Sequence, residues 1–475
     1  MKTHLSSIIL LLIALVCISF LYNYPDIWTL PAQGAHVWRQ SDCVAMTLNY
    51  HQFDLPFLEP ACYNLQSDGG RVAGEFPVFY FIAAQFDKPL MALRVMHTLL
   101  LFGGITAVYF IAFHFLQRRL LSLFCSIIVF TSPLLVFYGN NFLTDVPALS
   151  AVWIGWALFL PGIQREKPLL VFSALLFFTL GALLKASQTL QLVILAALLL
   201  HIGTQRARAA LVLMTGGFLL VGSWYIFARE YNQTHHDSYY FLSVAPIWKL
   251  SLYEMGLGIW RMVISFSKNY FWRPTSIVLL LSCFYLIRNW KNLDSRLRTL
   301  ITGSIVVTLF YILAFYQKII GHEYYTVFFF TAILFIMIGI IKVYNRFHAE
   351  NVFTHAFMFL FILANVFYCR SYTAEKLQST RIHPVLADKG MQDFMVRHGA
   401  TSDKHILSIP DASPNITLSQ LQRKGYTNFN FVDSLLQQQQ IDFIVCSDTT
   451  AIAQWQPYLK EYKGNYNGIY LYRTK

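Results

Sequence analysis

Apolar residues in this chain come in long unbroken runs, not in the three-and-four spacing of soluble helices or the alternation of half-buried strands. Eleven runs approach the roughly 20 residues that a helix needs to cross a hydrocarbon core. They cover residues 5–22, 92–114, 120–138, 147–163, 168–184, 188–203, 209–227, 275–289, 299–316, 324–341 and 353–369. The pattern predicts a polytopic α-helical membrane protein of about eleven transmembrane helices. The first run lacks a small-x-small cleavage site and reads as a span, not as a removed signal.

Three polar segments interrupt this pattern. Residues 23–91 form a large first loop, 228–274 a second loop with aromatic amphipathic stretches such as IWRMVISF, and 370–475 a tail. The division expected is a membrane module over 1–369 and a small soluble α/β domain over 370–475. Within the tail, HILSI, IDFIVCS and GIYLYR read as short strands, and FVDSLLQQQQ and AIAQWQPYLK as helices. No fixed-period repeat is present, and Gln437–Gln440 is the one low-complexity tract.

Charge gives the runs a direction. With the N-terminus inside, the inner segments carry Lys2, Arg118 and Arg119, Arg165 and Lys167, Arg206 and Arg208, Arg288 and Lys291, Arg296 and Arg298, and Lys342 and Arg346. Of the 24 acidic residues, all but Glu166, Asp294 and Glu350 then fall outside. This is the positive-inside bias, and an odd number of spans sends the tail outside too. The expected setting is a bacterial inner (plasma) membrane with a periplasmic or extracellular tail. A net charge of +12 suggests nucleic acid as a partner, but the bases sit in short clusters between apolar runs, so the partner they imply is the bilayer. Cys43 and Cys62 share the first loop, and bridging them needs an oxidising compartment and a suitable geometry.

Candidate chemistry concentrates in the outer segments. His36, Arg39, Asp42 and Cys43 recur at intervals of three and four, as on one face of a short helix, which also fits an interfacial amphipathic helix. Glu75 in GEFPVFYF and Asp145 in NNFLTDVPALS lie near the outer ends of apolar runs, where a lone carboxylate such as Asp145 also serves as a helix cap. Lys185 interrupts apolar sequence in LLKASQT, either as a functional group or snorkelling to the interface. His322, Glu323, Tyr324 and Tyr325 stand at the mouth of the tenth run, where tyrosines also form interfacial belts.

In order, HVWRQSD, EFPVFYF, TDVPAL, LLKAS and HEYY resemble the motifs of bacterial GT-C glycosyltransferases. The branch is the glycosyltransferase family 39-like one, with the protein O-mannosyltransferases and the aminoarabinose transferases of lipid A. The resemblance spans about the first 345 residues. It implies transfer of a hexose or pentose from a polyprenyl-phosphate sugar donor to a glycan, lipid or protein acceptor, with inversion at the anomeric carbon. Where the family has an Asp-Glu pair early in the loop, this chain has Arg39-Gln40, so the acidic role passes to Asp42, Glu75 or Asp145. A positioned carboxylate would take the acceptor hydroxyl's proton. Charge on the departing phosphate needs donors, for which His36, Arg39, Lys185, Arg273, His322, Tyr324 and Tyr325 are candidates. A divalent metal is used by some of these enzymes, and His36, His235, His236 and His322 with the acids are potential ligands, though no spacing specifies a site. The alternative is a transporter or flippase of a lipid-linked saccharide, but such proteins commonly show internal repeats and midplane charges, which this pattern lacks.

Overall fold

The computed structural model describes residues 2–237, 239–240, 244–265, 267–347, 352–379, 384–429 and 441–475. All eleven apolar runs are helical. Seven helices are long and apolar enough to cross a membrane alone: His4–Leu21, Pro89–Leu116, Asp145–Gln164, Gln205–Thr234, Ser295–Gly321, Glu323–Asn345 and Thr354–Gln378. Two further runs lie in bent pairs, Arg119–Val129 with Pro133–Gly139 (69°) and Leu252–Tyr270 with Arg273–Arg288 (111°). The remaining two, Pro168–Leu184 and Ala186–Ile202, are shorter apolar helices. Pro133 and Pro274 stand at the start of the second helix of each bent pair, where a missing N–H costs nothing.

By its contacts the chain divides into two compact units. The first holds Met1–Ile27, Val95–Trp224 and Ser243–Glu375, and so most of the apolar helices. Its core places Trp153 and Trp156 fully out of solvent. The Asp145–Gln164 and Pro168–Leu184 helices pack closely because Gly155 and Gly181 leave room. A Cβ at Gly181 would stand 2.9 Å from the Ala148 carbonyl oxygen, so backbone contact replaces side-chain contact there.

The second unit is built from three distant segments, Trp28–Arg94, Tyr225–Leu242 and Lys376–Lys475. The tail contributes a five-stranded sheet: β1 (Ile406–Ile409), β2 (Gly425–Thr427), β3 (Phe443–Cys446), β4 (Leu459–Tyr466) and β5 (Ile469–Thr474). The order is β2-β1-β3-β5-β4. β1 runs parallel to both neighbours, and β5 antiparallel to both of its own. β1 and β3 are buried along their whole length, as central parallel strands are, over a core containing Leu407, Ile444 and Trp455.

HILSI, IDFIVCS and GIYLYR are strands as expected, but AIAQWQPYLK is not an α-helix. Its middle is a 3-10 turn, Ala453–Tyr458, that seats Trp455 in the core, and its end enters β4. Pro457 removes a helical N–H, and the lysines and glutamate beyond it suit the edge strand that β4 forms. The expected helix FVDSLLQQQQ lies outside the described residues.

The first loop joins this sheet through its backbone. The Gly425 N–H donates to the Tyr63 carbonyl (3.0 Å) and the Leu65 N–H to the Gly425 carbonyl (2.8 Å), extending the sheet past β2. Asn232, from the second segment, clamps the peptide of Ala73 by accepting from its N–H (2.7 Å) and donating to its carbonyl (2.8 Å). At the other end of the first segment, Gly34 has φ +76° and lies against the backbone of Lys376 and Leu377, where a Cβ would be 2.5 Å from the Lys376 oxygen.

Candidate functional site

The helix Val37–Phe53 carries the HVWRQSD motif. Its entry is fixed by Gln40, whose side-chain amide donates to the carbonyls of Gln33 (2.7 Å) and Ala35 (2.8 Å). Gln40 therefore holds the turn, with His36 in the left-handed region (φ 54°) at the N-cap. From that entry, Arg39 and Asp42 fall on one face a turn apart, with Nη1 of Arg39 3.5 Å from Oδ2 of Asp42. Arg39 also donates through Nη2 to Glu75, so a single guanidinium joins the two loop carboxylates.

Asp42 is only 1% exposed. Its Oδ1 accepts hydrogen bonds from the Tyr240 hydroxyl (2.8 Å) and the Asn415 amide (3.0 Å). Burial raises its carboxyl to about 6, with Arg39, Asn415 and Tyr240 pulling the other way. The same burial pushes the Tyr240 phenol and the Cys62 thiol upward and Cys43 to about 12, so all three stay neutral. Arg39, Asp42, Cys43, Met46, Gly74, Glu75, Tyr80 and Tyr240 line a small cleft. A buried carboxyl that titrates near neutrality at the wall of a cleft is what proton acceptance requires. Cys43 and Cys62 are both buried and unbridged. Cys43 accepts from the Tyr80 hydroxyl (3.2 Å), and Cys62 contacts the Asp42 carbonyl (3.7 Å).

The first unit holds a second polar group. Asp145 opens its helix, and its carboxylate is held in an ion pair. Both oxygens face the Lys185 ammonium, at 3.1 and 3.3 Å. Lys185 follows the Pro168–Leu184 helix in extended conformation and is mostly buried, so it does not snorkel. Its Nζ lies 5.4 Å from the Tyr324 ring centre and 5.2 Å from that of Tyr325. HEYY leads into a 3-10 helix, Glu323–Phe329, which brings both tyrosines there. His322 stacks on Tyr324, and burial together with Lys318 and Lys185 lowers its basicity toward the neutral imidazole. Glu323 accepts from the Tyr138 hydroxyl (3.1 Å) and the Asn269 amide (2.9 Å).

The sequence-predicted residues thus fall into two groups, Arg39, Asp42 and Glu75 in one and Asp145, Lys185, His322, Tyr324 and Tyr325 in the other. Arg273 joins neither by a hydrogen bond or ion pair among the described residues. It starts the Arg273–Arg288 helix, exposed. Sequence reasoning missed Tyr240, Asn415, Tyr138 and Asn269. Only Tyr240, in an aromatic loop, carried any local signal, since Asn415 looks like any other turn residue in DASPNIT. Among the described residues no three His, Cys, Asp or Glu side chains are arranged to hold a metal ion, and the cation that Asp42 and Glu75 share is the Arg39 guanidinium.

An apolar helical unit together with a unit assembled from loops and a small tail sheet is the GT-C membrane glycosyltransferase fold, and the chain is an integral membrane protein of that fold. Particular solved structures make the likeness concrete. ArnT from Cupriavidus metallidurans in the apo state matches with a TM-score of 0.66 at 9% identity, covering 97% of this chain and 97% of that one. ArnT bound to undecaprenyl phosphate matches at 0.61 and 9% identity, over 98% and 97%. The oligosaccharyltransferase AglB from Archaeoglobus fulgidus, in complex with an inhibitory peptide and a dolichol-phosphate, matches at 0.54 and 10% identity, over 92% and 69%. No protein-family model and no curated protein matches the sequence.

Proposed function

We propose that this chain is a glycosyltransferase that moves a sugar from a polyprenyl-phosphate-linked donor to an acceptor hydroxyl on the exoplasmic side of the membrane, with Asp42 as the base. The observation that carries this reading is the buried Asp42 carboxyl at the wall of a cleft, titrating near 6 and paired to Arg39, which also binds Glu75. The acceptor oxygen attacks the anomeric carbon, the bond from that carbon to the donor phosphate breaks, and polyprenyl phosphate leaves with the electron pair. The acceptor's proton passes to the Asp42 carboxylate as the new bond forms.

Other residues take separate parts. Glu75 holds Arg39 in place, and Arg39 keeps Asp42 ionised enough to act. Within the first unit, Lys185, set by Asp145 and the Tyr324 and Tyr325 rings, is a point charge suited to a phosphate. A neutral His322 is a hydrogen-bonding partner, not a cation. His36 and Arg273 are further candidate substrate contacts. That ArnT was solved with undecaprenyl phosphate and AglB with a dolichol-phosphate supports a lipid-linked donor here. The Lys and Arg bias of the short loops supports a cytoplasmic N-terminus and an exoplasmic tail, in a bacterial inner membrane.

The test is to supply purified protein with synthetic undecaprenyl-phosphate sugars and candidate glycan, lipid and peptide acceptors. Wild type is compared with Asp42→Asn, Glu75→Gln and Asp145→Asn. Transfer should fall at least ~100-fold in Asp42→Asn, as for loss of a general base. Undiminished transfer in Asp42→Asn would sink Asp42 as the base, and undiminished transfer in all three variants would sink the whole carboxylate assignment. Movement of the lipid-linked sugar across vesicles without its consumption would establish a transporter instead.

A further inference from the structure

Asp42 has two chemically equivalent oxygens, and the surrounding groups make them unequal. The Asn415 amide could in principle be turned either way, but its Oδ1 accepts from the backbone N–H of Asn64 (3.1 Å), so its nitrogen must face the site. That nitrogen donates both to Oδ1 of Asp42 (3.0 Å) and to the Tyr240 hydroxyl oxygen (2.8 Å). With its oxygen already accepting, the Tyr240 hydroxyl donates its own proton to the same Oδ1 (2.8 Å). Asn415 is completely buried and sits in a loop that cannot easily turn. The carboxylate of Asp411 accepts from the N–H and hydroxyl of Ser413 and from the N–H and hydroxyl of Thr417, stapling both sides of Asn415. Asn64 completes the clamp by donating to the Pro414 carbonyl (2.9 Å).

Oδ1 is therefore occupied by two donors that cannot reverse. Oδ2 is fully buried, lies beside Arg39, and accepts no hydrogen bond among the described residues. We infer that Asn415 and Tyr240 are positioning residues that commit Oδ1 of Asp42 to accepting hydrogen bonds and reserve Oδ2 as the oxygen that gains and loses the proton. The tail is thus part of the carboxylate site: of the three segments that meet there, the first supplies the carboxylate and the other two choose which of its oxygens is basic. The inference rests on Asp42 being the base only for its catalytic consequence, not for the titration itself.

The groups facing Asp42 are Arg39 and Cys43 on its own helix, Cys62 from the first loop, Tyr239 and Tyr240 from the second segment, Asn415 from the tail, and Glu75 by way of Arg39. The thiols and phenols stay neutral through the range of interest, so of the groups in contact with Asp42 none but its own carboxyl changes charge. Both donors favour its ionised form. Removing either raises the pH at which Asp42 protonates, by about one to two pH units for a hydrogen bond to a charged group.

The experiment is difference infrared spectroscopy of the full-length protein in nanodiscs. Wild type minus Asp42→Asn isolates the Asp42 carboxyl band, which is titrated from pH 4 to 9. The wild-type midpoint should lie near 6. It should move upward in Asn415→Ala and in Tyr240→Phe, and the acidic limb of kcat/KM with a synthetic undecaprenyl-phosphate sugar should move with it. Tyr240→Phe removes a single atom and carries the test should Asn415→Ala fail to fold. A midpoint unchanged in Tyr240→Phe, or in a folded Asn415→Ala, overturns the inference and leaves the transferase reading standing. Shifted midpoints with no donor consumed by the wild type uphold the inference and refute the transferase reading.

Discussion

Replacing Asp42 by Asn should make the protein more stable while disabling it. The carboxyl ordinarily titrates at 3.8 and is raised to about 6 in the folded chain. Between those values the folded state binds more protons at this position than the unfolded state, so stability falls as the pH rises through the window. A shift of this size corresponds to a penalty on the order of 3 kcal/mol, fully developed above pH ~6. Asparagine carries no charge at any pH and escapes that penalty, while its own oxygen can still accept from Tyr240 and Asn415. The raised value already includes the attraction of Arg39, whose Nη1 lies 3.5 Å from Oδ2. The gain should approach about 3 kcal/mol at pH 8, and it should largely vanish by pH 4, where the wild-type group is itself protonated. Thermal unfolding of both proteins in the same detergent, measured at intervals from pH 4 to pH 8, reads the difference directly. The expected curve is a melting temperature a few degrees higher for Asp42→Asn at alkaline pH, converging toward wild type in acid. A difference that does not change with pH, or one that grows in acid, would show that the buried carboxyl is not held above its ordinary range.

Arg39→Met should cost about 3–5 kcal/mol, because it leaves Asp42 and Glu75 facing one another without their shared cation, and adding Glu75→Gln should recover part of the loss; unfolding midpoints of the single and double variants decide it. Lys185→Met should likewise be more damaging to stability than Lys185→Met combined with Asp145→Asn, and a double-mutant cycle giving no coupling would contradict a buried ion pair. Gly34→Ala forces a Cβ against the Lys376 carbonyl at positive φ and should destabilise by at least ~1 kcal/mol, seen as faster proteolysis of the first loop. Asp411→Ala removes the acceptor of four hydrogen bonds and should lower stability by about 2–4 kcal/mol, while also shifting the Asp42 midpoint upward by loosening Asn415.

Helices were the most legible part of the sequence, because a hydrocarbon solvent demands long apolar runs and leaves them unbroken. Each of the eleven runs is a helix, including the bent one at 120–138, although no bend was readable at Ser132-Pro133. The tail was legible where strands are continuously apolar, as in IDFIVCS, and failed at AIAQWQPYLK, where Trp455 needed a core position that a 3-10 turn supplies and β4 took the rest. At the candidate site the charged residues were visible because charges are conspicuous against an apolar background. Arg39 and Asp42 were close in sequence, and helical spacing places them together. Asn415 lies 373 residues from the carboxylate it serves, and only folding brings an uncharged amide to that point. The same reason hid Tyr138 and Asn269 beside Glu323.

The composite construction of the second unit has a consequence in time. A ribosome adding about 5–20 residues per second finishes Asn415 roughly 20–75 s after Asp42. During that interval the Val37–Phe53 helix can form, but one of the two donors to Oδ1 does not yet exist. The unfinished chain therefore lacks the arrangement that singles out a basic oxygen, and a chain released before residue 415 lacks it for good. Synthesis itself acts as a safeguard: the asparagine that completes the surroundings of the carboxylate is supplied 373 residues after it.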